Sequence, residues 1–203
     1  MDQWCVTLNP AQMQVVRQLA ERRQRDAWLR GAQGRNNAPN DYASALALHV
    51  KGTPGEYAYW AWVFYHRCGL LIPNCVIPRR VEPPRWASRF RRDFDFFPDT
   101  DIKTADHPRK NMLVQQDAPD DWRYLLVDTS AAPLYRMIGW MWGSDCKQQM
   151  WWTYMEREDG TDGSCYKVPR LALRSMNEWR YQHPWEEFHA AWSDSHPRPR
   201  ANT

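Results

Sequence analysis

Apolar residues recur every three to four positions between Ala11 and Leu29, at Met13, Val16, Leu19, Ala20 and Ala27, and arginines fill the positions between them. That spacing predicts an amphipathic helix with an arginine face, and Asn9 followed by Pro10 supplies its N-cap and first helical position. Residues 31–40 (GAQGRNNAPN) are loop by composition. Residues 42–50 predict a short helix, Gly52-Thr53-Pro54-Gly55 a break, and residues 56–68 a second, more apolar helix that ends at Gly69. Four prolines within residues 73–85 predict an extended arm. From Asp93 onward the period shifts towards two. Residues 94–97, 101–105, 112–116, 124–128 and 135–142 predict short strands, with turn signals at Pro98-Asp99-Thr100 and Asp117-Ala118-Pro119-Asp120-Asp121, and residues 165–168 a further one. Beyond Asn177 the chain is rich in Trp and His; residues 184–192 read as helical and the last eight as a disordered tail.

Helices followed by a succession of strands predict an α/β (α+β) fold: a single domain with a mixed central β-sheet flanked by helices. Residues 1–40 form an N-terminal amphipathic helix and loop, 41–176 the core, and 177–203 a Trp/His-rich extension. The composition, 43% hydrophobic and 25% charged over 203 residues, excludes a wholly disordered or fibrous chain. Its longest apolar stretches are interrupted by His, Arg or Gly well before the roughly 18 residues of a membrane span. With no basic start followed by an apolar run, the expectation is no membrane partner and a cytoplasmic location. Five cysteines, odd in number and without a CxxC pair, fit core thiols in a reduced compartment.

Two features of composition change this picture. Thirteen tryptophans are a large aromatic load, read either as core packing or as surfaces that stack on bases, a host protein or a second copy of the chain. Charge is divided along the chain: residues 1–92 carry 14 Lys+Arg against 6 Asp+Glu, and the remainder 13 against 18. The positive excess includes Arg79, Arg80, Arg85, Arg89, Arg91 and Arg92, a nucleic-acid-binding candidate because guanidinium groups neutralise phosphates and hydrogen-bond them bidentately. A solvated surface would also contain such a cluster.

The segment Asp95-Phe96-Phe97-Pro98-Asp99-Thr100-Asp101-Ile102-Lys103 concentrates the candidate chemistry. A turn at Pro98-Asp99 would fold the two flanking strands together. Strand alternation then projects Asp101 and Lys103 from one face and sends Ile102 to the other. Asp95 can bring a second carboxylate to the same place, and two such oxygens suit a hard Mg²⁺ (or Mn²⁺) ion that keeps waters and a substrate phosphate oxygen. Lys103 can orient a metal-bound water. Read without a metal, these are turn and edge carboxylates beside a solvated lysine.

Asp101-Ile102-Lys103 resembles the second half of the PD-(D/E)XK nuclease motif. Gly52-Thr53-Pro54-Gly55-Glu56 and the apolar helix after it resemble the helix that carries a glutamate in many members of that superfamily. Tyr124-Leu125-Leu126-Val127, Ile138-Gly139-Trp140 and Gly143-Ser144-Asp145-Cys146-Lys147 resemble the later strands of its small phage-type members, so the likeness covers about residues 45–175. The resemblance implies a restriction endonuclease-like core, with Asp95, Asp101 and Glu56 holding the metal and Lys103 completing the catalytic set. It also implies that Glu56 faces Asp101 and Lys103. Two functions follow. One is a metal-dependent nuclease hydrolysing DNA phosphodiester bonds, in the bacterial host cytoplasm if phage-encoded; the other is an inactive nuclease-like protein that binds nucleic acid or inhibits a host protein. His183 and His189, near Glu186 and Glu187, form no HExxH, and the chain has no G-x-S-x-G, P-loop or G-x-G-x-x-G.

Overall fold

The computed structural model describes residues 4–29, 42–68, 100–154 and 163–179. The expected loop at 31–40, arm at 73–85, strand at 94–97 and helix at 184–192 lie outside them.

Helix α1 (Pro10–Leu29) starts as its sequence predicts. Asn9 Oδ1 accepts the Gln12 N–H at 2.9 Å and Gln12 Oε1 accepts the Asn9 N–H at 2.9 Å, so two backbone donors without helical partners are each satisfied by the other residue's side chain. Helix α2 (Tyr42–Cys68) corrects the expected break: it is one helix of 27 residues with Pro54 inside it. Proline removes the hydrogen bond to the carbonyl four residues back, that of Val50. Val50 is exposed, so water can donate to that carbonyl in place of the missing N–H, while the buried run Tyr57 to Val63 anchors the helix on the sheet.

Four strands form a mixed sheet: β1 (Cys5–Thr7), β2 (Thr100–Ala105), β4 (Arg123–Ala131) and β5 (Leu134–Trp142), in the order β1-β5-β4-β2. β2 runs parallel to β4, and the other pairs are antiparallel. Strand β1, too short to show a period, was not foreseen. It is held by Met137 N–H donating to the Trp4 carbonyl at 2.9 Å and Leu8 N–H donating to that of Pro133 at 3.0 Å. The remaining strands among the described residues, β3 (Met112–Gln115), β6 (Trp152–Thr153) and β7 (Cys165–Val168), make a second, antiparallel sheet where a single one was expected.

Alternation sorts the central sheet into two faces. Ile102, Leu125, Val127 and Tyr135 pack with Tyr57 to Val63 of α2, and α1 packs behind α2. Ala105, Tyr124, Leu126 and Met141 pack with Met112, Val114 and Val168 of the second sheet and with Cys146 of α3 (Gly143–Cys146). The last described element is α4 (Met176–Trp179), whose Trp179 joins the α2-side core and donates its indole N–H to the Tyr59 hydroxyl at 2.9 Å.

Trp60, Trp62, Trp122, Trp140 and Trp179 are buried, so these five serve packing; Trp28 stands exposed. Cys5, Cys146 and Cys165 are free thiols, the last two buried. Among the described residues no helix is long and apolar enough to cross a membrane.

Candidate functional site

Strand β2 is short, and its alternation decides what its side chains do. Thr100 and Ile102 are buried, and Ile102 lies in the core under α2. Asp101 and Lys103, one step out of phase, project from the face that looks towards the second sheet, as the register Asp101↔Tyr124 and Lys103↔Leu126 requires. Lys103 Nζ lies 2.7 Å from Asp101 Oδ2, with 29% and 23% of the two side chains exposed. The ammonium also stands over the Tyr124 ring, 5.7 Å from its centre. One partner supplies a full opposite charge, and the other the negative face of a ring.

Cys146 lies close enough to Lys103 for its thiol to feel that charge, and Lys147 pairs with Asp120 at 2.5 Å. Burial, with the Asp145 carboxylate beside it, pushes the Cys146 thiol up to about 12, so at neutral pH it is a protonated packing group and no nucleophile.

Glu56 sits elsewhere. Its carboxylate is bonded to Arg23 of α1, and α2 covers the sheet face opposite the one bearing Asp101 and Lys103. The helix touches β2 closely all the same: Gly55 lies so near Thr104 that a Cβ would collide with the threonine methyl. The expected contact between helix and strand therefore exists, but Glu56 does not face Asp101 and Lys103. The cause is rotational. Successive helix residues are 100° apart, so the position after a glycine pressed on the sheet turns aside, here towards α1. His49 shares that neighbourhood; burial, then the Arg23 charge, lowers its pKa, with Glu56 pulling the other way.

The structure thus brings together Asp101 and Lys103, and adds Tyr124. Asp95 and the arginines Arg79, Arg80, Arg85, Arg89, Arg91 and Arg92 lie outside the described residues. Among the described residues no group of three or more His, Cys, Asp or Glu side chains is placed to hold a metal ion. Asp101 suits such an ion as a single hard oxygen ligand, partly exposed on strand β2.

A second ionic cluster escaped the sequence reading. Asp128, paired in register with Ala105 on the Lys103 face, takes Arg170 Nη1 at 2.9 Å, the Ser130 N–H at 2.9 Å and the Ser130 hydroxyl at 2.6 Å. Burial pushes its pKa up, but the Ser130 and Arg170 hydrogen bonds together outweigh that and leave it low. Forty-two residues separate Asp128 from Arg170, and no local pattern announces the pair.

Comparison with family models, curated proteins and solved structures finds no match for this chain.

Proposed function

We propose that the chain is a metal-dependent nuclease that hydrolyses DNA phosphodiester bonds, with Asp101 as a metal ligand and Lys103 as the group that holds the attacking water. The observation that carries this reading is the pair itself: a carboxylate and an amine on one strand face, 2.7 Å apart and open to solvent on one side. Mg²⁺ or Mn²⁺, when bound, would polarise a phosphoryl oxygen and make water a stronger acid. The carboxylate supplies a fixed negative oxygen. The amine, steadied by Tyr124, supplies a donor about 3 Å away that can hold a water or a phosphate oxygen in line. Asp95 is the second carboxylate of the proposal, and the arginines of residues 79–92 the contacts to the phosphate backbone. Glu56 is left out, because Arg23 holds it on the other side of the sheet.

The test is cleavage of supercoiled, linear and single-stranded DNA with Mg²⁺ and with Mn²⁺, where nicking or shortening of at least one form is expected. A wild type inert on every form would turn the reading to its alternative, a non-catalytic protein that binds nucleic acid, a host protein or a second copy in the cytoplasm. The commitment of Glu56 to Arg23 favours that alternative.

A further inference from the structure

We infer that the turn between β2 and β3, residues Asp106 to Lys110, is a preformed binding site for backbone phosphates of nucleic acid; this rests on the nuclease reading and extends its substrate contacts beyond Asp101 and Lys103.

Three observations carry it. The turn is clamped from below by one planar fork: Arg170 Nε donates to the Lys110 carbonyl at 2.9 Å, Nη2 to the His107 carbonyl at 3.2 Å and Nη1 to Asp128 at 2.9 Å. Within the turn, Lys110 N–H donates to the His107 carbonyl at 3.0 Å. Arg109 N–H donates to His107 Nδ1 at 3.1 Å, which in the neutral ring leaves Nε2 as a donor. Arg170 spends its own charge on Asp128, so the clamp is neutral and rigid.

The turn that the clamp holds carries more positive charge than its one carboxylate offsets. Asp106 is shared by Lys110 at 2.9 Å and Lys51 of α2 at 3.8 Å, and Arg109 is exposed with no ion pair among the described residues. Lys51 and Lys110 share one carboxylate, and Arg109 adds a third positive charge to the turn. Holding like charges together costs free energy that a bound polyanion would return.

Placement is the third observation. Asp101, Lys103 and Ala105 share one face of β2, and Asp128 pairs with Ala105 on that face. The turn continues the same strand, with His107 four residues beyond Lys103. Ala105, the last residue of β2, is two residues beyond Lys103, about 7 Å at strand rise or about two nucleotides of one strand, and the turn begins at the next residue. A backbone whose scissile phosphate lies at Lys103 would have a neighbouring phosphate within reach of the turn.

The test is binding of a 20-base-pair duplex to the full chain in EDTA, where no metal-dependent cleavage interferes, over a range of salt. Arg109→Ala with Lys110→Ala should weaken binding about tenfold or more at 0.1 M salt, and should reduce the slope of log K against log salt by about 1.8, the value for two lost phosphate contacts. Arg170→Lys keeps the net charge but loses the fork, and should also weaken binding if position matters; its melting temperature, measured alongside, shows that the fold survives. Asp106→Asn should strengthen binding. Turn variants that bind like wild type, when wild type binds and cleaves, overturn this inference and leave the nuclease reading standing. Weakened binding by the turn variants of a chain that never cleaves supports the site and removes the catalytic reading. A wild type with no affinity at low salt overturns both.

Discussion

Lys103 stands between the Asp101 carboxylate and the Tyr124 ring, and both hold its ammonium over one spot on the sheet. If that spot is where phosphate chemistry happens, Lys103→Ala and Asp101→Asn should each lower the cleavage rate by about 100-fold or more. The fold and most of the DNA affinity should remain, since neither side chain is buried in a core. Equal cleavage by wild type and Lys103→Ala would exclude the role. At the other face, His49 makes a different prediction. Its folded-state pKa lies below the unfolded value of about 6.5, so folding favours the neutral ring and the stability it contributes is present above that pH. As pH falls from about 7.5 to 5.5 the unfolded chain takes up the proton first and stability declines. His49→Gln should flatten that part of the melting-temperature profile; an unchanged slope would assign it to other groups. The Asp101 and Lys103 positions were legible from alternation alone. The direction taken by Glu56 was not, because it depends on the rotation of a helix against a second helix, which no local spacing encodes.

Elements show the same division. The reciprocal Asn9 and Gln12 cap is local chemistry and lies where the Asn-Pro signal puts the start of α1. Continuity of α2 through Gly52, Pro54 and Gly55 is not local: it follows from burying Tyr57 to Val63 against the sheet and pressing Gly55 onto Thr104. Likewise the first residue of α3, Gly143, donates its N–H to the Trp122 carbonyl at 2.7 Å and lies against the backbone of Pro119 and Asp120. A Cβ there would strike the Pro119 carbonyl oxygen, a group that cannot swing away. Gly143→Ala should therefore destabilise the protein by about 1–3 kcal/mol. It should also disturb Cys146 and Lys147 beside the Lys103 face. Urea unfolding measures the first effect, and an unshifted midpoint would show that the 119–120 turn yields freely.

At the scale of the whole molecule, tryptophan joins the central sheet to residues 175–179, the segment that follows β7 and the turn after it. Trp140 is fully buried, meets Trp142 at 5.7 Å and Trp179 at 5.3 Å edge to face, and donates its indole N–H to the Ser175 carbonyl at 3.2 Å. Arg123, only 2% exposed, places its guanidinium 5.3 Å from the ring centres of both Trp142 and Trp179. Truncating Trp140 to Ala removes a large buried ring and its hydrogen bond and should cost about 3–5 kcal/mol, read as a lowered denaturation midpoint. A loss under about 1 kcal/mol would mean that the cluster closes over the gap.

By itself the sequence determined what period and local chemistry can encode: helix α1 and its cap, strands β2 to β5 and β7 to within a few residues, the mixed helix-and-strand content, and the shared face of Asp101 and Lys103. Only the tertiary structure decided which surfaces meet. It set β2 parallel to β4, divided the seven strands among the described residues between two sheets, turned Glu56 to Arg23, and brought Arg170 across 42 residues to Asp128 beneath a basic turn. Side-chain periodicity states which way a residue points from its own backbone. The partner it finds there is chosen by the packing of the other elements, and that choice lies in no single stretch of sequence.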